Sequence, residues 1–339
     1  MKKLIYFAAS LLIFLTACEK NITPSVSNSE DHVGEGVLKV NLAYETSAVS
    51  KALTDYTEVL NIEKAEHSIK ILVFDKATGA LNTVASPSSS AQTCSITVPV
   101  GEKTIYAVIN GPELSTVTNV SVLKKIVDNL ANNNINTEGF TMVGYTSCTA
   151  EASKTVTANI TVKRLVSRIV LNNITNNLPS QYQNLTLDAV FLGNAYTAQT
   201  FDATEVSGMV NPNGYADQSQ TAAIGKNSVS GSCPDYLYRS VSENITCGTI
   251  YNKKQCLYCM PNSSSTHTCL FVLATVGSSK YYYKVPLTNG LQANHTYTVN
   301  MVINNLGTSE PGEDLVKGDI GVNITISGWE AGDDYVGEF

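Results

Sequence analysis

The chain has 339 residues, 43% of them hydrophobic and 15% charged, with a formal net charge of −7. That length makes room for two domains of ordinary size, and the apolar share is that of a folded protein. An acidic balance without a basic run argues against a nucleic-acid partner. The 17 tyrosines against one tryptophan, among many Thr, Ser, Asn and Val residues, favour strands and turns over helices.

The N-terminus reads as an export signal. Lys2 and Lys3 precede an apolar run from Leu4 to Leu15 that is too short to span a bilayer. Leu15-Thr16-Ala17-Cys18 then looks like a bacterial lipobox, whose cysteine becomes the lipidated first residue of the mature protein. Residues 1–18 are expected as a lipoprotein signal peptide and residues 19–35 as a flexible polar tether. No later apolar segment has the length of a membrane span, so Cys18 is expected to provide the link to outer-membrane lipid.

The next stretch, residues 36–52, begins with one good strand. Leu38, Val40, Leu42 and Tyr44 share one face, and Lys39, Asn41 and Ala43 share the other. A short, polar, cleavable segment follows, in which Lys51 precedes Ala52. A strand directly upstream of a protease site is a strand that can be removed.

Further along, residues 68–75 form a near-continuous apolar strand that ends in a turn at Asp75–Gly79 and returns as a hairpin. Cys94, Ile96, Val98 and Val100 alternate, and residues 103–109 read as a buried strand broken by Asn110-Gly111-Pro112. Val122, Leu123, Ile126, Val127 and Leu130 recur at helical spacing, which predicts a helix with Lys124, Lys125, Asp128 and Asn129 facing away. Residues 154–174 are strand-like but too long for one ordinary strand of about 5–6 residues, which puts a domain boundary near Lys163–Val166. Beyond it, Thr204–Ser232 reads as a polar surface loop. Several short strands come next, and Val322, Ile324 and Ile326 then alternate with Asn323, Thr325 and Ser327 near the C-terminus. Short strands separated by turn signals argue for antiparallel sandwiches, and no short-period repeat is present.

Nothing here predicts an enzyme, a cofactor or a metal. There is no nucleophile elbow, phosphate loop or H-E-x-x-H motif. His32, His67, His267 and His295 lack ligand spacing. Cys256-Leu-Tyr-Cys259 lies in a strand-like context without the second pair that a zinc ribbon needs. The seven cysteines after Cys18 cannot all pair.

Taken in order, the lipobox, KILVFDKATGAL, VPVGEKTIYAVINGP, FTMVGY, VKRLVSRIVLNNI, YLYRSVSEN, YYYKVPL, LQANHTYTVNMVI and ITISGW resemble the Bacteroidales fimbrillins, the major subunits of type V pili. Arg164–Arg168 and Asn294–Tyr297 are the most family-like pieces. The resemblance implies a mainly β fold of two transthyretin-like antiparallel β-sandwich domains, residues 36–165 and 166–339, with little helix. It also implies export as a lipoprotein and proteolytic removal of the first strand. A C-terminal donor strand from the next subunit, within residues 319–339 and led by Val322, Ile324 and Ile326, then fills the vacated groove. The expected partners are other copies of the chain or related pilins joined head-to-tail, and a receptor on a host or bacterial surface. Members of the family are usually cut after an arginine. This chain has none before Arg164, so Lys51-Ala52 is the nearest equivalent. The rival expectations are an anchor, terminator or tip subunit, and a non-polymerising surface lipoprotein adhesin.

Overall fold

A computed structural model describes residues 34–45, 66–89, 91–130, 139–182, 184–204, 234–316, 318–328 and 334–338. The fold is mainly β. The first half carries β1 (Glu35–Tyr44), β2 (Ile69–Asp75), β3 (Leu81–Ala85), β4 (Thr93–Pro99), β5 (Gly101–Ile109), α1 (Val120–Lys124), β6 (Val127–Asn129), β7 (Met142–Ala150) and β8 (Thr155–Arg164). The chain continues through β9 (Ser167–Asn176), β10 (Asn184–Gly193), β11 (Ala198–Thr200), α2 (Pro234–Leu237), β12 (Tyr238–Thr246), β13 (Ile250–Tyr251), β14 (Gln255–Cys259) and β15 (Cys269–Val276). It ends with β16 (Ser279–Pro286), β17 (His295–Ile303), β18 (Ile320–Gly328) and β19 (Asp334–Glu338).

In the first half, β4-β1-β8 forms one layer and β3-β2-β5-β7 the other. The layers join at a short corner where Met142 and Val143 of β7 meet Arg164 and Lys163 of β8. Between them lie Leu38, Val40 and Leu42 of β1 with Ile96, Val98, Ile160 and Val162, against Ile71, Val73, Ile105 and Ala107. The opposite faces of β2 and β5 are also covered. Leu72, Phe74, Tyr106 and Val108 pack under Leu114, Val117 and Leu123 from the segment after β5. Burial on both faces is why residues 69–74 are apolar at nearly every position instead of alternating.

In the second half, β9 lies between β13 and β14 on one side and β17 on the other, and β18 and β19 extend the sheet beyond β17. The other layer is β12-β10-β15-β16, and the two share one core that includes Ile169, Phe191, Tyr258, Phe271 and Met301. The connectivity of the first half recurs. β1 pairs antiparallel with β4 and parallel with β8, as β9 pairs antiparallel with β14 and parallel with β17. The facing layers β3-β2-β5-β7 and β12-β10-β15-β16 correspond strand for strand. Among the described residues the antiparallel pair of β18 and β19 has no counterpart in the first half.

The helix expected across Val122–Leu130 is cut short. α1 stops at Lys124, capped at its start by Asn119, whose side chain accepts from the Ser121 N–H at 2.9 Å. Residues 127–129 instead become β6, paired with β11. Asp128, expected on the solvent face, is fully buried and accepts from the Thr141 hydroxyl at 3.0 Å, while Val127 is exposed. A strand partner and a buried acceptor outweighed the local periodicity. The long run at 154–174 divides into β8 and β9 with a break at Leu165–Val166.

Candidate functional site

The site is the slot that β1 occupies. β1 is the first described strand of the chain, yet it lies at the centre of its layer, with β4 on one side and β8 on the other. The parallel ladder to β8 begins with the Val37 N–H donating to Lys154 O at 2.9 Å and ends with the Glu45 N–H donating to Val162 O at 3.0 Å. On the opposite side the Leu42 N–H donates to Gln92 O at 2.8 Å. Odd-numbered residues therefore bond to β8 and even-numbered ones to β4, so both edges of the strand are used. β4 has no other strand partner among the described residues, and β8 pairs with β7 only at its end.

Leu38 and Val40 are fully buried and Leu42 is 8% exposed; Tyr44 is half-buried. On the outer face the Asn41 side chain bridges both neighbours. Its Nδ2 donates to Asn159 Oδ1 at 2.9 Å, and its Oδ1 accepts from the Thr93 hydroxyl at 3.2 Å. Both ends of the strand are closely fitted. A Cβ on Gly36 would lie 2.4 Å from the carbonyl oxygen of Glu151, so no larger residue is accommodated there. At the other end the Tyr44 hydroxyl is buried beside Glu66 but outside hydrogen-bonding geometry. Burial first, and then the Glu66 carboxylate, push this phenol above its ordinary range.

One residue further, Glu45 reaches across the molecule. Its Oε2 accepts from Asn294 Nδ2 at 2.6 Å. Asn294 has φ +60, a left-handed backbone that Asn tolerates, and is 3% exposed. Its N–H donates to Val166 O at 2.8 Å, and its Oδ1 accepts from the Arg164 N–H at 3.3 Å. Ser167 and Arg168 add bonds to Gln292 O and to the Thr296 hydroxyl, at 2.8 and 3.0 Å. The two segments singled out as most family-like are thus one junction, and the end of β1 is tied into it.

Val322 and Ile324, proposed from sequence as donor-strand residues, are buried in β18, and Ile326 is half-buried at the margin of the same core. β18 lies between β17 and β19. Cys18, Lys51, Ala52, His32, Cys233, Trp329 and nearly all of Thr204–Ser232 lie outside the described residues. Six thiols are described, none of them in a disulfide. Burial pushes Cys269 up to about 11 and Cys259 further. Among the described residues no group of His, Cys, Asp or Glu is arranged to hold a metal. Sequence reasoning assigned no role to Gly36, Asn41, Glu45 or Asn294. The first three stand in or beside the strand it chose, whereas the role of Asn294 depends on a contact across 249 positions.

A family model described as fimbrillin-like matches residues 116–329. The chain belongs to the fimbrillin-like family. The family is one of structural adhesion proteins rather than enzymes, and it implies a fimbrium at the cell surface, assembled with other fimbrial proteins. A search of curated proteins found no match. Among solved structures, a candidate cell adhesion protein from Bacteroides eggerthii is similar at 19% identity and a TM-score of 0.64, over 88% of this chain and 98% of that one. A fimbrilin from Porphyromonas gingivalis W83 is similar at 14% identity and a TM-score of 0.60, over 88% and 98%. The tip fimbrial protein Mfa3 from Porphyromonas gingivalis, at 14% identity and a TM-score of 0.50, is covered in full by 89% of this chain. At these identities the likeness is one of fold. In this fimbrillin-like chain the family match begins well after β1, so the slot strand lies outside it.

Proposed function

We propose that this chain is a structural subunit of an extracellular adhesive fimbria, exported as a lipoprotein through Cys18 and polymerised by strand exchange after a cut at Lys51-Ala52. The observation that carries this reading is that the first described strand is held at the centre of a layer. Without β1, β4 and β8 would face each other across a gap of about 10 Å, two strand spacings. The exposed trough would be the one that Leu38, Val40, Leu42 and Tyr44 fill. Burying three such aliphatic chains is worth on the order of 5–9 kcal/mol, enough to drive assembly or to prevent it. The occupant in a fibre is the C-terminal segment 319–339 of the next subunit, with Val322, Ile324 and Ile326 facing inward. Because one end of each copy enters the other end of the next, the contact does not close and extends into a fibre. The receiving and donating parts correspond to two transthyretin-like domains, residues 36–165 and 166–339. Other copies or related pilins are the partners, with outer-membrane lipid holding Cys18 before processing and a surface receptor engaged by the finished fibre.

An anchoring or terminating subunit is the second reading, favoured by Lys51 where an arginine is usual and by β18 being held on both sides. Mass spectrometry of the mature N-terminus separates the two. Fibres whose subunits begin near Ala52 support the polymerising subunit. A chain that always begins at lipidated Cys18 overturns it.

A further inference from the structure

We propose that Gly318–Ser327 is a register-matched copy of β1, and that a second copy of this chain donates it with Gly318 in the position of Gly36. The inference rests on the strand-exchange reading and specifies its geometry. Written against each other, GVLKVNLAYE (Gly36–Glu45) and GDIGVNITIS (Gly318–Ser327) place Ile320, Val322, Ile324 and Ile326 at the inward positions of Leu38, Val40, Leu42 and Tyr44. Ile320, Val322 and Ile324 are buried in their own sheet and Ile326 is half-buried, so the inward set is the same in both settings.

Two further positions fix the register. Gly36 passes so close to Glu151 that a Cβ would lie 2.4 Å from its carbonyl oxygen. Shifting the donor by two residues either way would bring Ile320 or Val316 to that point. Gly321 would fit there sterically, but it would turn Asn323, Thr325 and Ser327 into the core. Gly318 alone satisfies both conditions. Asn323 then falls where Asn41 bridges Asn159 and Thr93 across the layer, and its amide can make the same two bonds. Ser327 takes the position of Glu45 and presents a hydroxyl toward Asn294. The donated strand runs as β1 does, parallel to β8 and antiparallel to β4.

The test uses the full chain with a site-specific protease sequence placed between residues 46 and 65, nicked and then mixed with labelled peptides spanning residues 316–328. The wild-sequence peptide is expected to displace the β1 fragment and to block ladder formation on native gels. Gly318→Val is expected to weaken displacement at least about tenfold, because its side chain meets Glu151. Gly321→Val, at the exposed position of Lys39, is expected to change it by less than about threefold. Equal displacement by the Gly318→Val and wild-sequence peptides overturns the register and leaves strand exchange standing. A slot that releases β1 in mild urea yet accepts none of the peptides removes this segment as the occupant. The N-terminal mass measurement independently decides whether the chain polymerises.

Discussion

Asn294 Nδ2 donates to Glu45 Oε2 at 2.6 Å, joining the residue just after the slot strand to the turn before β17. Asn294 also holds the backbone of Arg164 and Val166, so one side chain links the slot to the passage between the two cores. Asn294→Ala is expected to lower unfolding free energy by about 2–4 kcal/mol, through lost hydrogen bonds and a left-handed backbone that Ala resists. In a double-mutant cycle with Glu45→Ala, read by urea unfolding, the pair is expected to couple by about 1–2 kcal/mol. Additive effects would mean that the two groups act independently.

Gly36→Ala places a methyl group against the Glu151 carbonyl. A loss of about 1–3 kcal/mol is expected, confined to the seating of β1. Hydrogen exchange is the measurement, with amides of β1 and of its neighbours β4 and β8 losing protection before those of β15.

Leu38→Ala leaves a cavity at a fully buried position and is expected to cost about 2–5 kcal/mol. Lys39→Ala, next to it on the exposed face, is expected to change stability by less than about 0.5 kcal/mol. Chemical denaturation of both variants checks the inward direction of Leu38 and the outward direction of Lys39.

Those strand directions were legible in the sequence because alternation is local, and a layer with one wet face enforces it. The hairpin at Asp75–Gly79 and the break at Leu165–Val166 were legible for similarly local reasons. The helix at Val122–Leu130 was misjudged because the same apolar spacing also suits a one-turn helix followed by a short strand. What chose between them was the β11 strand, about 70 positions away. The central position of β1 was not legible either, since no local pattern states which strands flank a given one. The duplicated connectivity is likewise carried by pairing between distant strands and leaves no repeat in the residues.

Tyr44 is held neutral by burial and by Glu66, so its proton is bound more tightly in the folded chain than at the ordinary value of 10.0. Burial also raises Tyr297, to about 12, and Tyr283. For groups raised in this way stability is intact below pH 10 and falls as pH rises past it. Absorbance titration of phenolate is expected to show a late fraction of tyrosines that ionise together with unfolding. Tyr44→Phe is expected to reduce the alkaline loss of β1 protection.

Alkylation at pH 8 in native conditions is expected to leave Cys259 unmodified until the chain unfolds. Its thiol is fully buried and pushed far above the ordinary range, while Cys94 and Cys148 are partly accessible. Peptide mass mapping after timed iodoacetamide exposure checks the order.

A strand clasped on both sides also has a kinetic character of its own. An edge strand can peel away one bond at a time, but β1 has ladders on either side and a core beneath it. To leave, it must break both ladders together or slide along its own axis. Severing the chain after it would therefore not empty the slot; the severed piece would stay until something drew it out, over a barrier far higher than its equilibrium affinity alone suggests. A newcomer that enters stepwise as the old strand recedes avoids that barrier, since few inward pockets are vacant at any moment. Once seated, it inherits the same slow exit, and a pull along the strand loads all of its hydrogen bonds at once. Permanence under tension follows from position in the layer more than from the strength of any single contact.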